Sequence, residues 1–282
     1  MEIQIVEMAE RKCKFILKNS SPAMANALRR TMLTDIPKMA IDKVEFHLGP
    51  IDVDGREFES MTPLFDEIIA HRLGMVPVPT TDMFNFKDEC VCGGEGCPSC
   101  EIMYSLNKNG PCTVLSGDLQ PLGSQDLKVG SQDLKVKDEE IPIVDLADGQ
   151  SILIYAHAVM GTARKHVKWQ VANGVGYSYR PIITIDGDVD SPEEIAEACP
   201  KKVFDITDGK LVVARSDDCS LCMTCVENFS KGDGPISVVG DENNFVFKFE
   251  TDGSLTAEQV IDKAVEILSK ETKDFASQVA SL

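Results

Sequence analysis

Positive charge is scarce in this 282-residue chain, in which 28 lysines and arginines face 46 aspartates and glutamates for a net charge of −18. Such a surface repels a phosphate backbone over most of its area, so nucleic-acid binding as the main task is disfavoured and little direct nucleic-acid contact is expected. Long apolar runs are missing too. The longest charge-free one, around SILIYAHAVMG, is far short of the roughly 18 residues that a bilayer span needs. The opening MEIQIVEMAERK alternates apolar with charged residues and offers no export-signal core. The expectation is a cytoplasmic protein with no membrane attachment. Histidine is sparse: His47, His71, His157 and His166 are scattered, with no H-E-x-x-H, no G-x-S-x-G and no glycine-rich phosphate loop. No catalytic residue is assigned, and His166, near the only tryptophan, Trp169, reads as a packing or surface residue.

Against these shortages stand ten cysteines. Without an export signal they read as metal ligands rather than disulfides, because reducing cytosol keeps thiols free. CVCGGEGCPSC sets Cys90, Cys92, Cys97 and Cys100 as two close pairs around a glycine-rich turn. Two thiolate pairs folded together suit one tetrahedral zinc ion in a closed, structural site. CSLCMTC differs, since Cys219, Cys222 and Cys225 at uniform spacing can each reach a different iron of a cubane. The bacterial ferredoxin run C-x2-C-x2-C-x3-C-P uses its last cysteine for the other cluster of a pair. Here the position four after Cys225 is Phe229, while upstream Cys199-Pro200 keeps the tail of a run whose leading positions hold Val189, Pro192 and Ile195. Cys199 is therefore the expected fourth ligand of one [4Fe–4S] cluster. The alternative is a buried, apolar Cys199 and a three-thiolate [3Fe–4S] site. Cys13 and Cys112 are assigned to strand packing.

Periodicity predicts an α+β fold. Residues 3–7 and 12–18 alternate as a hairpin or meander. Ser21-Pro22 opens a helix with Met24, Leu28 and Met32 four apart, stopped at Ile36-Pro37. A second helix is expected from Thr62-Pro63 to Gly74, with Leu64, Ile68 and Ile69 facing inward. GSQDLKV occurs twice, at 123–129 and 130–136, and reads as a duplicated surface loop; 151–160 reads as a buried strand. NFVFKFE places Phe245, Phe247 and Phe249 on one strand face ahead of a helix with a capping box at Thr256 and Gln259. Along that helix Ile261, Val265, Leu268, Thr272, Phe275 and Val279 draw an apolar stripe. Periodicity leaves open whether the stripe covers its own sheet or meets a partner subunit.

NALRRTMLTDIPKMAIDKVEF followed by FDEIIAHRLGMVPVP resembles the family of archaeal RNA polymerase D subunits. The likeness runs through the cysteine loop, SGDL, GTARKHVKWQ, YSYRPIITI and the ferredoxin-like insert to the terminal helix. More distant relatives are the eukaryotic third-largest polymerase subunits and the amino-terminal domain of the bacterial alpha subunit. The resemblance implies a discontinuous alpha-subunit-like dimerisation domain at 1–43, 173–186 and 233–282. It is interrupted by a mostly β insert domain at 44–172, with the zinc loop 90–100, and by a small ferredoxin-like iron–sulfur domain at 187–232. It also implies a noncatalytic assembly subunit of a DNA-directed RNA polymerase. The partners implied are subunit L, meeting Ile261, Val265, Leu268, Phe275 and Val279, then the small subunits N and P and the large catalytic subunits. Asn26, Arg29 and Arg30, with Glu67, Arg72 and Gly74, match motif positions that in such families line the contact with the second-largest subunit. Ala163, where many relatives carry glycine, and the GSQDLKV duplication depart from the pattern. So does the single cluster, where some relatives retain two. The alternative from another class is a ferredoxin-type electron carrier or oxidoreductase accessory protein.

Overall fold

The computed structural model describes residues 1–53, 55–122, 134–229 and 234–281, and the duplicated GSQDLKV stretch lies largely outside them. The chain divides into two compact units, one of Met1–Arg29 with Gly174–Phe249 and one of Arg30–Asn173 with Glu250–Leu282. The mixture of helices and sheets is the α+β class expected.

The first unit opens with the antiparallel hairpin β1 (Glu2–Met8) and β2 (Lys12–Lys18), and the chain then enters helix α1 (Pro22–Thr34). Alternation in β2 buries Cys13, Phe15 and Leu17, and burial pushes the Cys13 thiol up to about 11. On α1 the residues four apart that lie buried are Leu28, Met32 and Ile36 just beyond the helix, whereas Met24 is 40% exposed.

The second unit is built on strands β3 (Lys38–Phe46), β4 (Ile51–Val53) and β5 (Arg56–Phe58), helix α2 (Asp66–Met75), and strands β6 (Glu101–Asn109), β7 (Cys112–Leu115), β8 (Gln120–Pro121), β9 (Pro142–Leu146) and β10 (Ser151–Gly161). A four-stranded sheet runs in the order β3-β10-β6-β8, with the apolar β10 at its centre as its charge-free sequence predicts. The strands of two-stranded sheets β4-β5 and β7-β9 fall between its strands in sequence. The core gathers Met39, Ile41, Ile69, Leu73, Tyr104 and Ile154. Cys112 on β7 is half-buried and its thiol lies 3.3 Å from the carbonyl of Asn109.

Helix α2 begins later than the Thr62-Pro63 signal suggests. The Thr62 hydroxyl bonds the Leu64 carbonyl at 2.6 Å, closing a local turn instead of capping the helix. With Phe65 as N-cap, Ile69 and Leu73 are buried while Ile68 is 41% exposed, which corrects the inward placement of Ile68.

The chain continues through β11 (Ala172–Ile185), α3 (Pro192–Ala198), the hairpin β12 (Phe204–Thr207) and β13 (Lys210–Val213), α4 (Thr224–Phe229), β14 (Ile236–Thr251) and α5 (Ala257–Ala280). The first unit's sheet has the order β1-β2-β14-β11. Phe245, Phe247 and Phe249, expected on one strand face, are all buried; Phe15 stacks on Phe247 at 4.8 Å and meets Phe249 edge-on at 6.5 Å. Helix α5 starts at the expected capping box: the Gln259 N–H donates to Thr256 Oγ1 at 3.2 Å, and the Thr256 N–H donates to Gln259 Oε1 at 2.9 Å. Its first turns bury Ala257, Val260, Ile261 and Ala264. Every residue from Ser269 to Ala280 is exposed.

Candidate metal centres and partner surface

The turn Gly93, Gly94 and Gly96 adopts φ of 67°, 88° and 102°, the left-handed region that favours glycine, and folds the two cysteine pairs onto each other. The Sγ atoms of Cys90 and Cys97, Cys92 and Cys100, and Cys97 and Cys100 lie 3.6, 3.7 and 3.8 Å apart. A tetrahedron of sulfurs with Zn–S bonds of about 2.3 Å has edges of about 3.8 Å, so the four thiols fit a single tetrahedral ion. Among the described residues, this is the one group of three or more His, Cys, Asp or Glu whose ligand atoms all lie within 4.8 Å of one another. Backbone N–H groups of Gly96 and Gly94 hold the Cys92 thiol down to about 6, while burial pushes Cys100 up to about 12. One sulfur is thus prepared as a thiolate, and another needs a cation beside it to ionise.

Cysteine spacing does not reveal what fastens this knuckle to its sheet. Glu101, next to Cys100, accepts from Lys87 Nζ at 2.9 Å and pairs with His157 Nδ1 at 2.6 Å across the β6–β10 ladder. Burial opposes ionisation of Glu101, but hydrogen bonds from His157 and Lys87 outweigh it and hold the carboxyl below its ordinary range. Glu101 and His157 are 56 positions apart, and nothing in the local sequence signals their pairing.

In the first unit, Cys199, Cys219, Cys222 and Cys225 line one cavity together with Val203 and Phe204. The loop reverses direction at Leu221 and Met223, with φ of 56° and 62°, and at Lys202, with φ of 49°. These turns aim the Val203 N–H at Cys199 Sγ and the Leu221 N–H at Cys219 Sγ, each at 3.4 Å. Four sulfurs around one cavity, with backbone N–H groups aimed at them, fit a cubane, which spreads its thiolates over four irons rather than gathering them on one ion. Burial pushes the Cys219 and Cys225 thiols up, whereas the Thr224 hydroxyl and N–H lower Cys222. The turn before Cys219 is anchored on the sheet by Lys14 to Asp218 at 3.1 Å and Arg180 to Asp217 at 2.9 Å. Lys14 and Arg180, far away in sequence, are additions that spacing alone does not reveal.

The expected partner-binding residues are distributed over three helices. On α1, Arg29 Nε and Nη2 donate to Asn26 Oδ1 at 3.3 and 3.1 Å, and Arg30 is exposed. On α2, Glu67 is exposed, while Arg72 Nη1 donates to the Ile143 carbonyl at 2.6 Å and so helps hold α2 to β9. Gly74 is buried, its α-carbon facing the Ile41 carbonyl of β3. On α5, Ile261 is buried and Leu268 half-buried, but Val265, Phe275 and Val279 are 38, 68 and 52% exposed.

An α+β chain with one cysteine group able to hold a metal ion, a second cysteine-lined cavity and a terminal helix that leaves its apolar stripe largely uncovered has, by geometry, the features of an interaction protein. The family is more specific: the RNA polymerase Rpb3/Rpb11 dimerisation domain matches residues 14–272, and the chain belongs to that family. It is 41% identical over 267 residues to the DNA-directed RNA polymerase subunit Rpo3 of Thermoplasma volcanium, covering 94% of each chain. It is 40% identical to the Rpo3 of Picrophilus torridus, over 95% of this chain and 96% of that one. The Rpo3 of Archaeoglobus fulgidus is 39% identical, over 97% and 96%. Rpo3 is the D subunit of the archaeal enzyme, so the resemblance drawn from the sequence motifs is borne out. No helix among the described residues is long and apolar enough to cross a membrane.

Proposed function

We propose that this chain is the noncatalytic assembly platform of an archaeal DNA-directed RNA polymerase, pairing with subunit L and then docking N, P and the large catalytic subunits. One observation carries the reading: in a chain matched along 14–272 by a polymerase dimerisation family, α5 leaves Val265, Phe275 and Val279 on one exposed face. An exposed aromatic in an apolar stripe is the composition of an interface anchor. The pairing elements in this reading are 1–43, 173–186 and 233–282, with inserts at 44–172 and 187–232. Arg30 and Glu67 offer exposed charges for the second-largest subunit; Asn26, Arg29 and Arg72 shape that surface from their intramolecular bonds.

Cys90, Cys92, Cys97 and Cys100 would hold one zinc ion, and Cys199, Cys219, Cys222 and Cys225 one [4Fe–4S] cluster. The zinc would cross-link a loop too small to bury a core of its own, and the cluster would tie the loop at 219–225 to the small core of 187–232. Loss of the cluster loosens 187–232 and weakens later assembly while leaving the pair with L intact. The test is to tag the chain in its native cell and identify what co-purifies. Co-purification of the whole polymerase supports the platform. Recovery with a reductase, and without L, overturns it in favour of an electron carrier.

A further inference from the structure

The four cysteines around the first unit's cavity are not equivalent. Cys199, Cys219 and Cys225 are half-buried and pack on the small apolar core of Ile195, Val203, Phe204, Leu211, Ile236 and Val238. Cys222 alone of the four is exposed and lies outside that packing. Cys199 and Cys219 take backbone N–H groups fixed by the turns at Lys202 and Leu221. Cys222 also takes the Thr224 N–H, and the Thr224 hydroxyl lies 3.4 Å from its Sγ, yet its side chain remains exposed. Solvent access governs which sulfur an oxidant or water reaches, and packing governs which ligand holds its position when a bond opens.

We propose that Cys222 is the releasable ligand of this site: on oxidation of the cluster, the iron on Cys222 leaves first and the other three thiolates keep a three-iron remainder. The inference rests on the [4Fe–4S] assignment proposed above. A one-electron acceptor such as ferricyanide takes one electron from [4Fe–4S]2+ to give [4Fe–4S]3+. The bonds from one iron to Cys222 Sγ and to its three sulfides then break. Fe2+ departs, [3Fe–4S]+ remains on Cys199, Cys219 and Cys225, and the Cys222 sulfur keeps its electron pair as a free thiolate. One electron and Fe2+ restore the original state. The exposed corner therefore makes this part of the chain responsive to oxidant and to iron supply.

The full chain, purified without oxygen and with its iron and sulfide measured, is treated with stoichiometric ferricyanide and followed by electron paramagnetic resonance. Iodoacetamide and peptide mass mapping then locate the freed thiol. The expected result is a three-iron signal, loss of one iron in four, and label on Cys222 in several-fold excess over Cys199, Cys219 and Cys225. Label led by another of the four, or spread evenly among them, overturns the proposal, as does collapse without a three-iron stage. As a second measurement, Cys222→Ala retains a three-iron core while Cys219→Ala and Cys225→Ala lose it; retention by all three variants alike contradicts the assignment. Protein with no four-iron cluster before the oxidant is added fails at the iron and sulfide analysis, and there the cluster assignment itself falls and takes this proposal with it.

Discussion

Lys38 and Asp252 form a buried ion pair that joins the first residue of β3 to the turn between β14 and α5, with their side chains 4 and 13% exposed. Lys38 Nζ also donates to the carbonyls of Lys168 and Gln170 at 3.0 and 3.4 Å. The other carboxylate oxygen of Asp252 takes the Ser254 N–H at 3.0 Å and its hydroxyl at 2.6 Å, shaping the turn that leads into the Thr256 cap. Removing one member of a buried pair strands the other charge, which costs about 3 kcal/mol. Asp252→Ala is expected to lower unfolding free energy by about that amount in urea titration. Adding Lys38→Met recovers part of the loss, because no unpaired buried charge then remains.

Gly161, at the end of β10, lies against the indole of Trp169, whose Nε1 donates to the Val159 carbonyl at 3.1 Å. A Cβ on residue 161 would come 2.4 Å from the ring. Gly161→Ala therefore displaces a fully packed side chain and is expected to destabilise by about 1–3 kcal/mol, with a shifted emission from this single tryptophan. Unchanged emission and midpoint would contradict the packing.

Asp35, just after α1, accepts from Arg164 and from the Thr34 hydroxyl at 2.9 Å. Burial raises its pKa, but these bonds outweigh burial and hold the carboxyl below its ordinary value. A depressed folded-state pKa contributes stability that is present above the unfolded value and is lost as pH falls through the folded one. Arg164 is exposed, so the contribution is screened to about 1 kcal/mol. Thermal melts should show Asp35→Asn costing about that much at neutral pH, with the gap to the parent closing below the ordinary carboxylate range.

Chelation should loosen the knuckle selectively. Hydrogen exchange over 86–101 is expected to rise when a strong chelator removes the ion, while β1 and β2 keep their protection. Elemental analysis of the untreated chain should give one zinc, and protection unmoved by its removal would contradict a structural role.

How much of the fold and its sites is legible in the sequence depends on range. The β1–β2 hairpin, the start of α1 and the α5 cap follow from signals within a few residues, and the structure has them where expected. The grouping of Cys90, Cys92, Cys97 and Cys100 follows from spacing, because a loop brings near neighbours together, whereas Cys199, which lies before the β12–β13 hairpin, is reached only through the ferredoxin pattern and lines the same cavity as Cys219, Cys222 and Cys225. The start of α2 is misplaced by its local signal, since a threonine before proline can close a turn as readily as cap a helix. Lys14, Arg180 and His157, which fasten the two cysteine segments, leave no trace in local sequence because their partners lie 204, 37 and 56 residues away. Exposure of the α5 stripe cannot be read from its period, since a buried and an uncovered ridge share one spacing.

The most direct measurement of the central claim is co-expression of the full chain with an archaeal L subunit, followed by size-exclusion chromatography and titration of the pair. The account predicts a 1:1 complex that Phe275→Glu or Val279→Glu weakens by about 2 kcal/mol, roughly thirtyfold, with helicity unchanged. A wild-type chain that stays monomeric beside L, or charged variants that bind as tightly as the parent, would contradict it.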